Sequence, residues 1–237
     1  MHGTLEFNRP DHAEKKQSRF PPVEGAFMKI TVREATAADI PGAIHALVDG
    51  FSKDPVMSGA LGGSMKIERI RALFELQIRT QYSHTDQGRV DVAVDTSGKV
   101  LGAALWATPH KSTSFVDELK QVGEYVQVLR GSLISAALTE YKLLKARPVF
   151  KHWYLYTIGV HEDARGHGVG SALLDFRREQ LGEYPAYLEA STYNSAALYK
   201  RHGFVELGGY GKLSKAAIGM WHPAPISSID KNHATTR

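Results

Sequence analysis

The apolar positions change period several times along the chain, and each change predicts an element. Ile30 and Val32 alternate with polar neighbours over Lys29 to Arg33, the spacing of a half-buried strand. Ile40, Ala43, Ile44, Leu47, Val48 and Phe51 then share one helical face, with Thr36 or Asp39 as cap and Pro41 tolerated in the first turn. A loop holding Asp54-Pro55, Gly59, Gly62 and Gly63 is expected next, followed by a helix from Met65 to about Ser83. Val90, Val92 and Val94 alternate, Thr96-Ser97-Gly98 turns the chain, and Val100 to Ala107 is apolar, which together predict a β-hairpin. From Ser114 to Arg147 the period is helical, interrupted at Gly131 and closed by Pro148, so two helices or one bent at Gly131 are expected.

The stretch from Trp153 to Leu174 organises the rest. An aromatic and β-branched strand, Trp153 to Val160, runs through His161 to Asp163 into Arg165-Gly166-His167-Gly168-Val169-Gly170, where a helical pattern reaching about Leu181 begins. Glycines let the backbone approach a ligand, and the first amides of a helix carry the positive end of its dipole. An anion cradle, most naturally for a pyrophosphate, follows. A dinucleotide fingerprint would also place an acidic residue some way downstream, and Glu189 keeps that alternative open at this point. The turn does not continue into Gly-Lys-Ser/Thr, which sets aside the usual nucleoside triphosphate loop. Beyond it, Ala186 to Ala190 reads as a strand, Asn194 opens a helix Ser195 to Arg201 that stops at His202-Gly203, and Phe204 to Leu207 and Ala216 to Trp221 read as closing strands.

Composition narrows the classes. The 237 residues suffice for one domain with a full core, and 43% hydrophobic with 23% charged residues is ordinary for a globular protein. No apolar run is long enough to span a membrane, and residues 1–27 lack the apolar centre of a secretory signal, so a cytoplasmic protein with no membrane partner is expected. The absence of cysteine excludes disulfides and thiolate chemistry. A net charge of +4 spread along the chain argues against a nucleic-acid partner. No His/Asp/Glu group has metal-ligand spacing, so no metal is expected. Residues 1–27 are expected to be a disordered extension, 28–222 the folded domain with 114–147 as a helical insertion, and 223–237 a flexible tail.

Two patterns in fixed order carry a resemblance. Arg165, Gly168 and Gly170 fit Arg-x-x-Gly-x-Gly, and Asn194, Tyr199, Gly203 and Phe204 fit Asn-x-x-x-x-Tyr-x-x-x-Gly-Phe. The chain resembles the GNAT superfamily of acetyl-CoA-dependent N-acetyltransferases. Within it, Phe51 to Pro55, Glu68-Arg69, Trp106 to Pro109, Arg147-Pro148 and Leu188 to Ser191 are most like the puromycin N-acetyltransferases.

The resemblance implies an α/β fold, a mixed and mainly antiparallel sheet flanked by helices, with the helical insertion between the third and fourth strands. It implies that Arg165, Gly166, His167, Gly168, Val169, Gly170 and Ser171 hold the coenzyme A pyrophosphate. Ile158, Gly159 and Val160 would offer a strand edge to the pantetheine, with Gly159 at a bulge that lets the central strands part. Tyr199 would protonate the departing thiolate and Asn194 would fix the cofactor or the helix start. The plain alternatives are a core aromatic for Tyr199 and a simple N-cap for Asn194. Deprotonating the acceptor amine needs a base. Glu189 is the candidate, with a carboxylate paired to a nearby Arg or Lys as its alternative, and His110, His152 and Glu124 remain unranked. The insertion, the Phe51 to Ser64 loop and the aromatics Trp106, Tyr125, Trp153, Tyr154 and Tyr156 are expected to shape a pocket for a small-molecule primary amine of antibiotic-like or aminonucleoside type. The rivals are a protein or peptide N-acetyltransferase and a non-catalytic acetyl-CoA-binding module.

Overall fold

A computed structural model of the chain describes residues 28–61, 66–83, 86–111, 123–207 and 217–225. The expected extension at 1–27 and residues 226–237 of the expected tail lie outside the described residues. The strands are β1 (Thr31–Glu34), β2 (Gly88–Val94), β3 (Val100–Ala107), β4 (Trp153–Val160), β5 (Ala186–Ala190), β6 (Val205–Glu206) and β7 (Ile218–His222). They form a seven-stranded sheet in the order β1-β2-β3-β4-β5-β7-β6, antiparallel everywhere except between β4 and β5. This is the mixed, mainly antiparallel sheet that the sequence predicts.

Alternation along the strands divides the core. Val90, Val92, Leu105 and Tyr154 face α1 (Ile40–Phe51) and α3 (Ile67–Gln77). Ala93, Ala104, Trp106, Trp153 and Leu155 face the opposite layer, which includes Leu173 and Leu174. Ahead of α1, the Asp39 carboxylate receives Arg33 at 2.6 and 2.9 Å together with the Thr36 amide and hydroxyl. The Arg33 contact above all holds Asp39 well below the usual carboxylate range.

Two departures from expectation concern the acceptor side. The segment after Phe51 is not all loop: α2 (Pro55–Ala60) forms there, because the Asp54 carboxylate accepts the Val56 and Met57 amides at 2.9 and 2.8 Å and Pro55 suits a first helical position. The helix expected to Ser83 ends as α3 at Gln77 and continues as a π turn, Ile78–Tyr82. Between β3 and β4, residues 123–129 are helical, Arg130–Ser132 is a 3-10 turn, and α4 (Leu133–Ala146) follows, so the α-helical pattern is interrupted around Gly131. The expected start of that segment at Ser114 lies outside the described residues. Arg69 on α3 donates to the Leu129 carbonyl and, at 3.2 Å, to Ser132 Oγ, which donates at 2.8 Å to the Leu61 carbonyl. These bonds tie the inserted helices to the ends of α2 and α3.

On the other face lies α5 (Val169–Arg178), shorter than the pattern to Leu181 suggests. Its Arg177 reaches under the sheet and forms a two-point ion pair with Asp91 on β2, Nε to Oδ2 being 2.9 Å; both residues are buried. Burial pushes the Asp91 carboxyl up and Arg177 opposes that shift; burial likewise works against the Arg177 charge and the bonds to Asp91 more than offset it. The last helix is α6 (Tyr193–Arg201), capped by Thr192, whose hydroxyl accepts the Ser195 amide at 3.1 Å. Asn194 is therefore not the N-cap; it sits in the first turn, exposed. No helix among the described residues is long and apolar enough to cross a membrane.

Removing one member of a buried ion pair leaves the other charged and unsolvated. Arg177→Met is expected to cost about 3–5 kcal/mol in urea unfolding, and Arg177→Met with Asp91→Leu to recover most of that loss.

Candidate active site

β4 and β5 pair over three positions only, Trp153–Ala186, Tyr154–Tyr187 and Leu155–Leu188. Beyond them β4 stays bonded to β3 as far as Val160, while β5 stays bonded to β7 as far as Ala190. A cleft opens between the two central strands, and among the described residues the edge carrying Ile158, Gly159 and Val160 has no strand beside it. An extended amide chain can add to such an edge.

The bulge that accompanies this parting is at Tyr156, not at Gly159. Leu105 pairs with Thr157 and Trp106 with Leu155, so Tyr156 is the extra residue, whereas Gly159 pairs in register with Ala103. One extra residue reverses the facing of everything after it. Trp153 and Leu155 belong to the α5 face before the bulge and Ile158 and Val160 belong to it afterwards, which turns Gly159 toward α1. A Cβ on Gly159 would lie 2.8 Å from Leu47 Cα and 2.9 Å from the Ala46 carbonyl oxygen, and one on Gly50 would lie 2.8 Å from Gly159 Cα. Glycine is needed here because α1 rests on β4 backbone to backbone.

At the end of β4, Gly166 and Gly168 adopt φ of +80° and +82°, and Gly168 is the N-cap of α5. Among the described residues no acceptor takes the amides from Gly166 to Ser171. These are free N–H groups at the positive end of a helix, on the residues where an anion cradle is expected. The Arg165 side chain turns away, its Nη2 donating at 2.7 Å to the Asp49 carbonyl in the last turn of α1. His167 lies against the Arg165 carbonyl, Nδ1 to O 3.0 Å.

Tyr199 projects from α6 to the apex of the cleft, buried, with its ring edge-to-face on Phe204 at 6.0 Å. Burial pushes its phenol well above the usual tyrosine range, so it stays protonated. Its hydroxyl has no hydrogen-bond partner among the described residues. From this apex a cavity of about 1010 Å³ extends past Ile158 and Glu189 to the inserted helices. Its walls come from α2, α3, the π turn, α4 and both central strands.

Glu189, on β5 just past the point of parting, is held on both oxygens: Arg147 Nε donates to Oε1 at 3.2 Å and the Tyr154 hydroxyl to Oε2 at 2.7 Å. Arg147 also donates to Tyr154 at 2.7 Å and to Glu140 at 3.0 Å. Burial pushes the Glu189 carboxyl up, and Arg147 acts against that shift. The carboxylate is thus paired with an arginine while still lining the cavity.

The other candidate bases separate. His152 lines the cavity, and burial lowers its pKa. His110 packs on Tyr184, and Glu124 pairs with Arg79; neither lines the cavity. Of the expected pocket aromatics, Tyr125, Tyr154 and Tyr156 are in the wall, while Trp106 and Trp153 belong to the core on the α5 face. Tyr82, which the sequence reading did not single out, stacks on Tyr156 at 5.4 Å and 30°. Its position in the π turn left no helical period to signal it.

A family model for the acetyltransferase (GNAT) domain matches residues 86–206. A mycothiol acetyltransferase of Jonesia denitrificans is 32% identical over 96 residues, 38% of this chain and 31% of that protein, so this chain spans under a third of that relative. A Corynebacterium glutamicum structure described as histone acetyltransferase HPA2 and related acetyltransferase is 32% identical with a TM-score of 0.60, over 85% of this chain and 100% of that one. The ribosomal-protein-S18-alanine N-acetyltransferase of Escherichia coli shares the fold at 17% identity and a TM-score of 0.50, over 85% and 98% of the two chains.

Gly159→Ala sets a methyl group against backbone that cannot rotate away, and is expected to cost about 1–3 kcal/mol in urea unfolding. At Gly170 the nearest atom to an added Cβ is Leu198 Cδ2 at 3.4 Å. Gly170→Ala should therefore stay within about 0.5 kcal/mol of the parent in the same measurement.

Proposed function

Because this chain belongs to the GNAT acetyltransferase family, we propose that it transfers the acetyl group of acetyl-CoA to a primary amine of a small molecule. The observation that carries this reading is the cavity of about 1010 Å³ leading from Tyr199 under the inserted helices. A volume of that order suits a drug-sized compound.

The free amides from Gly166 to Ser171 fit a pyrophosphate, and the edge at Ile158, Gly159 and Val160 suits the amides of pantetheine. Arg165 contributes by fixing the turn to α1, and Asn194, exposed in the first turn of α6, is proposed to meet the cofactor. Attack of the amine on the thioester carbonyl forms the C–N bond and breaks the C–S bond. A β4 amide in the cleft donates to the oxygen that gains charge. Tyr199, kept protonated by burial, gives its proton to the leaving thiolate. Glu189 takes the amine proton, directly or through water, while Arg147 and Tyr154 fix its position. Holding both reactants in the cleft supplies much of the rate.

The acceptor walls favour a partly aromatic compound. Tyr82, Tyr125, Tyr154 and Tyr156 present rings, and buried Gln77 Oε1 and Thr157 Oγ1 have no hydrogen-bond partner among the described residues, leaving both for an acceptor. The likeness to puromycin N-acetyltransferases puts aminonucleosides first. A protein amine is the second reading, supported by the relative described as a histone acetyltransferase. The covering of the cavity by α4 works against a chain threading through it. A non-catalytic acetyl-CoA-binding module is disfavoured by the tyrosine at the apex.

A mass-detected screen of small amines, aminonucleosides included, against peptides should show acetyl-CoA-dependent products among the small amines. Acetylation of peptides alone overturns the acceptor class, and tight acetyl-CoA binding without turnover overturns catalysis. Tyr199→Phe should lower kcat by about a hundred- to ten-thousand-fold with little change in the KM for acetyl-CoA. A base works only when ionised, so kcat/KM should fall as pH drops through the raised Glu189 value, above the ordinary carboxylate range. Glu189→Gln should remove that limb; an unchanged pH profile would leave Glu189 as a partner of Arg147 only.

A further inference from the structure

A group outside the cleft joins residues that are far apart in sequence. His45 and Asp49 stand one turn apart on α1, and His161 follows β4 directly. Their side chains meet at the corner between that helix and the glycine turn. His45 Nε2 lies 3.8 Å from Asp49 Oδ1, His161 Nε2 lies 3.6 Å from Asp49 Oδ2, and the two imidazole centroids are 5.0 Å apart. One ligand atom from each residue falls within 4.8 Å of the others. The spacing expected to exclude a metal considered neighbours along the chain, whereas these three meet only through the fold.

We propose that His45, Asp49 and His161 bind a divalent late transition metal ion of the zinc class, with solvent completing the coordination. Zinc held tetrahedrally at about 2.1 Å keeps its ligand atoms about 3.4 Å apart. The two imidazoles approach different oxygens of Asp49, and with one ligand atom from each residue all three lie within 4.8 Å, a spread that side-chain rotations close to this spacing. Two imidazoles and one carboxylate suit zinc, cobalt or nickel; magnesium and calcium prefer oxygen.

A second observation concerns the shell around these ligands. His161 Nδ1 accepts the Asp163 amide at 3.4 Å and lies 3.7 Å from that residue's Oδ2. A metal on Nε2 moves the imidazole proton to Nδ1, which gives up the long bond from the Asp163 amide and donates to the Asp163 carboxylate instead, the carboxylate–imidazole–metal arrangement that fixes tautomer and ring orientation. Asp49 is itself positioned by the loop, the Glu162 amide lying 3.4 Å from Oδ2 and Arg165 holding the Asp49 carbonyl at 2.7 Å. An ion here fastens α1 to the segment that leads into the glycine turn. Because it binds only the folded arrangement, it stabilises that arrangement.

The test uses tag-free full-length protein, stripped with a chelator and dialysed. Zinc titrated calorimetrically should bind at one site with micromolar or tighter affinity and raise the melting temperature. Cobalt should give the visible absorption of a site with nitrogen and oxygen ligands. His45→Ala, an exposed position, and His161→Ala should each weaken binding at least ten-fold while far-ultraviolet circular dichroism stays native. Asp163→Asn should weaken it by about ten-fold, and His110→Ala should leave it unchanged. If the parent binds no zinc at micromolar concentration, or if both histidine variants bind it as the parent does, the proposal is overturned. These readouts do not depend on acetyl transfer, so they stand apart from the functional assignment.

Discussion

The parting of β4 from β5 is the constraint on which the rest depends. Three residue pairs hold the strands together, and after Leu155 and Leu188 each keeps only its outer neighbour. Backbone groups in a core are normally paired, so leaving an edge open in the middle of a sheet is tolerated where something else is meant to occupy it. Tyr199 and Glu189, the latter just past the last pair, both line the cavity at this parting, which is why the proposed reaction is placed there. The free amides from Gly166 to Ser171 follow the far end of the same strand, so one open edge runs between them and these two side chains.

In the proposed reaction, donor and acceptor features fall on opposite sides of the sheet. The α5 side is local in sequence, β4 running through the turn into its helix, and it is stiffened by Arg177 reaching Asp91 beneath the strands. The acceptor side is assembled from distant parts. Arg69, Leu129, Ser132 and Leu61 join α3, the inserted helices and α2, while Arg147 at the end of the insertion reaches Glu189 on β5. A half-buried arginine shared by Glu189, Tyr154 and Glu140 makes that wall a polar network in which moving one member disturbs the others.

This division explains what was legible in the sequence. The strand, glycine turn and helix around residue 165 and the Asn194 to Phe204 pattern are contiguous, and local spacing sufficed to read them. The hairpin of β2 and β3 was visible for the same reason. By contrast α2 is too short to show a period, although Asp54-Pro55 was the cap and first-position proline that could have announced it. The extra residue at Tyr156 left no signal, and a nearby glycine at 159 drew the expectation to the wrong place. Thr192 rather than Asn194 caps α6 because the hydroxyl that reaches the Ser195 amide lies three residues before it. The Glu189 pairing with Arg147, and the gathering of His45, Asp49 and His161, depend on contacts between distant segments that no local pattern encodes.

The contact of Gly50 with Gly159 bears on how the two sides communicate. Side chains between packed elements act as a cushion, absorbing small displacements by changing rotamer. Here α1 touches β4 without one. A strand pressed by an incoming chain along its open edge therefore pushes on the helix rigidly, and that helix leads directly to Asp54 and the cap of α2. The two glycines thus form a rigid fulcrum between the open strand edge and the helix that precedes α2.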